Sequence, residues 1–90
     1  MEITFDPAKR ARTLKERGLD FSEVGEIFYG LTYTLVDDRH DYGEIRYITV
    51  GSLRGRMVVV VWTQRGNKRH IISLRKCNGR EQTKYKAKMG

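Results

Sequence analysis

The clearest pattern of apolar and polar positions lies in two neighbouring stretches towards the C-terminus. Val58 to Trp62 form an unbroken apolar run, which is typical of a strand covered on both faces. After a turn at Arg65-Gly66-Asn67, apolar and polar residues alternate, as in a half-buried strand. Strict alternation predicts one face made of Arg69, Ile71, Ser73 and Arg75, and another made of His70, Ile72 and Leu74.

The N-terminal part of the chain has helical periodicity. Ile3 to Phe5 predict a short strand, after which Asp6 and Pro7 suit the cap and first position of a helix. We expect this helix to end at about Arg17, with Gly18 in the left-handed conformation. Its narrow apolar stripe, Ala8, Ala11 and Leu14, is expected to lie close against a sheet.

A second helix is expected from Asp20 to Gly30, because Asp20 and Glu23 have the spacing of a capping box. Strands are then predicted at Leu31–Val36 and Ile45–Val50, separated by a polar loop at 37–43. The segment Gly51 to Gly55 is predicted to turn the chain into the valine-rich strand.

A last helix should start near Gly79, because Asn78 and Glu81 again have capping-box spacing. Its poor apolar stripe predicts a short helix that frays. The element order is therefore β-α-α-β-β-β-β-α, which indicates a single α+β domain over residues 1–90. We expect two N-terminal helices packed on a mainly antiparallel sheet, followed by a short C-terminal helix.

The charge is distributed unevenly along the chain. Up to Leu53 there are seven basic and ten acidic residues, a net charge of −3, whereas from Arg54 onward eleven basic residues face one acid, a net charge of +10. Such asymmetry favours a polyanionic partner, either nucleic acid or an acidic protein surface. The alternative is a solvated basic face that serves only solubility.

Several classes of protein are disfavoured by the composition. A single cysteine, Cys77, excludes an internal disulfide and suits a reducing cytoplasm, and no apolar run suggests a membrane span. Two histidines, His40 and His70, provide no metal-ligand spacing, so no metal and no cofactor are expected. Three aspartates beside His40 raise the possibility of a metal site, but a charged loop is the default interpretation.

Three stretches stand out together in this order: FDPAKRARTLKERGLDFSEVGEIF at 5–28, HDYGEIRYITVG at 40–51 and VVVVWTQRGNKRHIISLRKCNGREQTKY at 58–85. With this order and spacing they resemble the BrnT toxins of bacterial type II toxin–antitoxin systems, which have a compact fold like that of the RelE ribonucleases. The resemblance implies an RNA-cleaving toxin that inhibits translation. It also implies neutralisation by an antitoxin with a ribbon-helix-helix DNA-binding domain, so that DNA is bound only through the complex. The residues to which it points are His40, Glu44, Arg46, Arg65, Arg69, Ser73, Arg75, Lys76, Glu81 and Tyr85.

Metal-free RNA cleavage needs a base for the 2′-hydroxyl, stabilisation of the charge on the phosphorane and an acid for the leaving oxygen. Arg46, Arg69 and Arg75 suit the charge stabilisation, because guanidiniums bind phosphate oxygens bidentately and stay protonated. Along one strand Arg69 and Arg75 lie roughly 20 Å apart. We therefore expect Arg75 to act with Arg46 from a neighbouring strand, while Arg69 holds a flanking nucleotide.

Proton transfer has two candidates in the sequence. His40 is one, and Tyr85 is the other if the last helix folds over the sheet, although a tyrosine on such a helix more often serves packing. RNA contacts are predicted for Arg65, Lys76, Arg80 and Lys84. The alternative to a ribonuclease is a non-catalytic basic module that binds RNA or an acidic protein partner.

Overall fold

A five-stranded sheet forms the centre of the domain in the computed structural model, which describes residues 2–89. The strands are β1 (Glu2–Phe5), β2 (Tyr33–Asp37), β3 (Arg46–Leu53), β4 (Arg56–Arg65) and β5 (Lys68–Lys76). The helices are α1 (Pro7–Arg17), α2 (Val24–Tyr29) after a 3₁₀ turn at Phe21–Glu23, and α3 (Gly79–Met89). The predicted α+β class and order of elements are confirmed. No helix within residues 2–89 is long and apolar enough to cross a membrane.

The sheet is mixed, with the strand order β1-β5-β4-β3-β2. Strands β2 to β5 form the predicted antiparallel meander, but β1 pairs with β5 in parallel. A parallel neighbour requires a long crossover, and here the crossover from β1 contains both N-terminal helices and three strands. The predicted layout of two helices on one mainly antiparallel sheet is therefore too simple.

Helices cover both faces of the sheet. The larger core lies under α2 and the 3₁₀ turn, and it includes Phe21, Val24, Ile27, Val58, Val60, Trp62, Ile71 and Leu74. A smaller core lies under α3 and contains Val50, Val59, Cys77 and Tyr85. Because Tyr85 and Met89 both pack there, α3 extends for 11 residues and is as long as α1. The prediction of a short, poorly packed last helix is wrong.

Helix α1 is held by polar contacts instead of an apolar stripe. None of its side chains is buried, and the side chain of Leu14 is 44% exposed. The helix instead donates from Lys9 Nζ to the Ile72 carbonyl at 3.4 Å and from Arg17 Nη1 to the Leu74 carbonyl at 2.9 Å. These carbonyls lie beyond the part of β5 that pairs with β1, so α1 covers an otherwise open strand edge.

Of the two predicted capping boxes, the one before α3 is confirmed and the one before α2 is wrong. Asn78 and Glu81 form the predicted reciprocal box, with Glu81 N donating to Asn78 Oδ1 at 2.8 Å and Asn78 N donating to Glu81 Oε1 at 3.0 Å. Asp20 instead accepts from Ser22 N and from the Arg10 guanidinium. The side chain of Glu23 is bound to Arg54, so it does not complete a box with Asp20, and the segment begins as a 3₁₀ turn.

The predicted turn at Gly51 to Gly55 is shorter in the structure. Strand β3 continues to Leu53, and only Arg54 and Gly55 turn the chain, both with positive φ. Gly51 serves a different purpose, because α2 lies directly on it. A Cβ atom at this position would stand 2.7 Å from Ile27 Cγ2 and 3.3 Å from Thr32 Cγ2.

We expect Gly51→Ala to destabilise the domain by about 1–3 kcal/mol, because a methyl group there overpacks a core in which Ile27 is fully buried. Chemical denaturation of the variant measures this change in the free energy of unfolding. Gly25→Ala is the matched control, since a Cβ on Gly25 of α2 meets no atom within 4 Å. Equal stability of Gly51→Ala and the wild type would contradict the close packing of α2 on β3.

Candidate functional site

A β-bulge in β5 changes which of its side chains share a face. Val61 pairs with Ser73, and the next residue of β4, Trp62, pairs with Ile71. Ile72 is therefore an additional residue without a partner on β4. Strict alternation would place Ile71 and Ser73 on the same face of the sheet. Because of the additional residue between them, they lie on opposite faces.

The bulge separates Arg69 from Arg75, so the predicted common face of these two arginines is wrong. The Arg69 guanidinium lies on the α2 side, 3.8 Å from the centroid of the Phe28 ring and 4.7 Å from that of Trp62. Burial lowers the pKa of Arg69 from its ordinary value. Arg75 lies opposite Val59, and because directly opposed residues share a face, it lies on the α3 side.

We expect Arg69→Ala to lower the free energy of unfolding by about 1–2 kcal/mol, because the cation–π contacts with Phe28 and Trp62 are lost. RNA cleavage per folded molecule should stay unchanged, since Arg69 lies on the other face of the sheet. Denaturation curves and cleavage rates on the same preparation measure both effects. A loss of turnover without a loss of stability would show that Arg69 takes part in RNA cleavage.

Arg75 is held against α3 by Glu81. Its Nη1 and Nη2 donate to Glu81 Oε1 and Oε2 at 2.7 and 2.8 Å, and Nη1 also donates to the Lys76 carbonyl at 3.3 Å. The hydrogen bond with Arg75, helped by the Asn78 N–H, lowers the pKa of Glu81 to about 2. The same contact raises the pKa of Arg75. The pair is therefore a salt bridge in which a charged carboxylate holds a charged guanidinium in a fixed orientation.

Tyr85 lies one helical turn after Glu81 on the same side of α3. Its ring is buried and packs at 5.9 Å between centroids against Tyr33. Tyr85 as a whole is 9% exposed. Tyr85 packs in the same small core as Val59, the β4 residue opposite Arg75, so Tyr85 and Arg75 lie on the same side of the sheet.

Arg46 shares the α3 side of the sheet with Arg75. It lies opposite Thr63 on β4, four residues from Val59, which lies opposite Arg75. From strand rise and spacing, the two arginine backbones are about 16 Å apart. The sheet surface between them carries the partly exposed side chains of Ile48, Val61 and Ser73. The register therefore places Arg46 and Arg75 on one side of the sheet, but in separate clusters, so the structure does not bring them together at one point as predicted.

The cluster around Arg46 is formed by the loop between β2 and β3. The Arg46 guanidinium lies 3.9 Å from the centroid of the Tyr42 ring, and the His40 ring contacts Tyr42 edge-on at 5.7 Å between centroids. Tyr42 donates to Asp37 Oδ2 at 3.2 Å. Asp37 is buried, and the bidentate bond from Arg39 holds the pKa of this carboxyl well below its usual range. His40 and Arg46 thus lie together, far from Arg75 and Tyr85.

The four predicted RNA contacts lie at different places. Arg65 is paired with Glu44 at 3.3 Å at the end of the sheet that carries the loop. Lys76 lies opposite Val58 and therefore on the other face from Arg75. Arg80 and Lys84 are exposed one turn apart on α3. Three of the four, Lys76, Arg80 and Lys84, surround the end of β5 where Arg75 lies.

Two further titratable groups act as structural residues. His70 is half-buried, and its Nδ1 is 2.9 Å from Thr4 Oγ1, as predicted for a satisfied histidine. Burial is the main cause of its lowered pKa. Cys77 is buried, and burial raises the pKa of its thiol, which disfavours a thiolate nucleophile.

Sequence reasoning missed Tyr33 and Tyr42, which organise the two clusters. The available signal for Tyr42 is its position four residues before Arg46 in an otherwise polar loop. Tyr33 has no such signal, because its contact with Tyr85 depends on how α3 folds back. Within residues 2–89, no group of three or more His, Cys, Asp or Glu side chains lies close enough to hold a metal ion.

The lowered pKa of Glu81 has a consequence for stability. Since the folded-state pKa is about 2 against an ordinary 4.5, Glu81 stabilises the domain above pH 4.5, and this contribution is lost as the pH falls towards 2. We expect the difference in unfolding free energy between the wild type and Glu81→Gln to shrink over this interval. Denaturation at several pH values measures it, and a constant difference would contradict the Arg75–Glu81 pair.

Comparison with protein families identifies the chain. Residues 5–81 match the family model described as ribonuclease toxin, BrnT, of type II toxin-antitoxin system. The chain belongs to the BrnT family. The match covers the acidic loop, β5 and the start of α3, so it includes Arg46, Arg75 and Glu81, whereas Tyr85 lies beyond its end. A comparison with curated proteins finds no match to this sequence. Membership implies an RNA substrate and an antitoxin partner, and it confirms the predicted resemblance.

Proposed function

We propose that this BrnT chain is a compact, RelE-like endoribonuclease that cleaves RNA without a metal ion and thereby inhibits translation in the bacterial cytoplasm. Its activity is blocked by an antitoxin whose ribbon-helix-helix domain provides the DNA binding of the complex. The observation that carries the proposal is the group formed by Arg75, Glu81 and Tyr85 on the α3 side of the sheet.

Arg75 stabilises the transition state in this proposal. Glu81 occupies its two terminal nitrogens, but Nε and one N–H of Nη2 have no acceptor among residues 2–89. These donors are fixed before the substrate binds, so they stabilise the developing phosphorane charge without reorganisation. Glu81 positions Arg75 and does not act as the base, because its pKa of about 2 makes it a poor proton acceptor.

Tyr85 protonates the leaving 5′-oxygen. Support for this role comes from its ring, which packs against Tyr33 in the core next to Val59, the residue opposite Arg75, so that the phenol is held on the same side of the sheet as Arg75. Arg46 and His40, about 16 Å away on the same side of the sheet, are too distant to act on the same phosphate. They bind a neighbouring nucleotide, with Tyr42 available for base stacking.

The experiment that tests the function is cleavage of a structured RNA by the purified protein in EDTA, followed by analysis of the product ends. Attack by the 2′-hydroxyl leaves a 2′,3′-cyclic phosphate and a free 5′-hydroxyl. Cleavage with these ends should persist in EDTA and in Arg12→Ala, which removes an exposed arginine of α1, and be lost when Arg75 is replaced. RNA binding without cleavage by any form would instead favour the non-catalytic basic module.

A further inference from the structure

A cleft of about 460 Å³ opens where the turn between β3 and β4 faces α3. It lies at the opposite end of β3 and β4 from the acidic loop, because Arg56 begins β4 whereas the loop meets the start of β3. Arg56, Lys76 and Lys86 are exposed along its walls, together with the polar side chains of Ser52 and Gln82.

The three cations of this cleft have no carboxylate partner among residues 2–89. Arg54, the neighbouring arginine on the turn, is by contrast paired with Glu23. A smaller cleft of about 150 Å³ adjoins the first and shares Arg56 and Lys76 with it. Positive side chains that line a concave surface focus the electrostatic potential, so this end of the sheet attracts anionic groups.

The cleft is continuous along the chain with the proposed catalytic group. Lys76 follows Arg75 on β5 but lies on the other face, and Gln82 follows Glu81 on α3. The end of β5 and the first turn of α3 therefore form a ridge with Arg75 on one side and the cleft on the other. An extended strand that crosses this ridge can reach both places.

We propose that this cleft binds the phosphodiester backbone of the RNA segment that flanks the cleaved nucleotide. The position of the bound segment next to the cleaved nucleotide rests on the proposed ribonuclease function, whereas the affinity of the cleft for the RNA backbone does not. The backbone fits these walls because lysine, arginine, hydroxyl and amide groups are the usual donors to phosphate. Such contacts set affinity and register and leave the chemical step unchanged.

The test compares two double variants that each remove two positive charges. Arg56→Gln/Lys86→Gln alters the cleft, and Arg12→Gln/Lys15→Gln removes exposed cations of α1. Binding of a long 2′-O-methyl RNA, which the proposed 2′-hydroxyl attack cannot cleave, is measured by fluorescence anisotropy at several salt concentrations. The cleft variant should bind about tenfold more weakly, with a salt slope reduced by about 1.4, because each lost contact to a single strand contributes about 0.7. The α1 variant should bind within twofold of the wild type.

Equal losses in the two variants would overturn the proposal, because net charge alone would then explain the affinity. Displacement of the RNA by poly-L-glutamate as effective as displacement by unlabelled RNA would also overturn it, in favour of an acidic protein as the occupant. In cleavage assays the cleft variant should raise KM for long RNA and leave kcat unchanged, with no effect on an RNA of about four nucleotides. If the wild type cleaves no RNA, the proposed function is wrong, and the binding comparison still decides whether the cleft binds RNA.

Discussion

Arg75→Ala is expected to lower kcat for RNA cleavage by about a hundredfold to a thousandfold while changing the Kd for RNA by less than threefold. The reason is that preorganised donors act mainly on the charge that develops in the transition state, and removal of one such donor costs about this factor. Arg75 meets this description because the Glu81 carboxylate fixes its guanidinium through two parallel hydrogen bonds. Single-turnover cleavage at saturating protein, with separate binding measurements, checks both numbers.

The matched comparison is Arg80→Ala/Lys84→Ala, which removes two exposed charges from α3. This variant should weaken binding gradually and keep kcat, because contacts to ground-state phosphates contribute to affinity alone. Arg75→Lys should recover only part of the activity, since an ammonium cannot reproduce the bidentate bond to Glu81. Arg75→Ala with unchanged kcat and weaker binding would assign Arg75 to docking.

The order of elements was predictable because local signals determine it. Asp6-Pro7 and Gly18 bound α1, and the box between Asn78 and Glu81 opens α3, all through contacts within a few residues. The valine-rich run is buried at Val58, Val59, Val60 and Trp62, under helices on both faces of the sheet, as its lack of polar breaks indicates, and only Val61 is partly exposed.

The errors concern interactions between segments that are distant in sequence. Nothing local predicts that Ile72 is an additional residue in β5, because a bulge arises from the pairing with β4. The role of Gly51 also depends on the position of Ile27 in α2. Leu14 stays exposed because α1 is attached to a strand edge by Arg17 and Lys9 and not through its apolar residues.

The candidate site was predictable only in part for the same reason. The hypothesis that Arg75 acts with Arg46 from a neighbouring strand depends on register, which places both arginines on the α3 side of the sheet but in separate clusters. The role of Arg69 was predicted from strict alternation, which the bulge interrupts, so its guanidinium packs on Phe28. The position of Tyr85 on the same side of the sheet as Arg75 follows from the packing of α3 on Val59, which the pattern of apolar residues in the helix alone does not indicate.

Tyr85→Phe is expected to lower kcat by about a hundredfold or more, because a positioned general acid contributes roughly 10²–10⁴ to the rate. The phenylalanine ring keeps the packing against Tyr33 and the second core, so the free energy of unfolding should change by less than about 1 kcal/mol. RNA affinity should stay within threefold. Cleavage kinetics, anisotropy and denaturation on one preparation measure the three quantities.

Tyr33→Phe provides the control for this prediction, because it removes a hydroxyl from the other ring of the same pair and leaves the proposed acid in place. It should cleave at the wild-type rate. His40→Gln tests the competing donor, which lies with Tyr42 and Arg46 at the far end of the face. A large loss of kcat in His40→Gln with none in Tyr85→Phe would move the proton donor, and with it the cleaved phosphate, to the acidic loop. Arg46 would then be the cation that stabilises the phosphorane, and Arg75 would hold the flanking RNA.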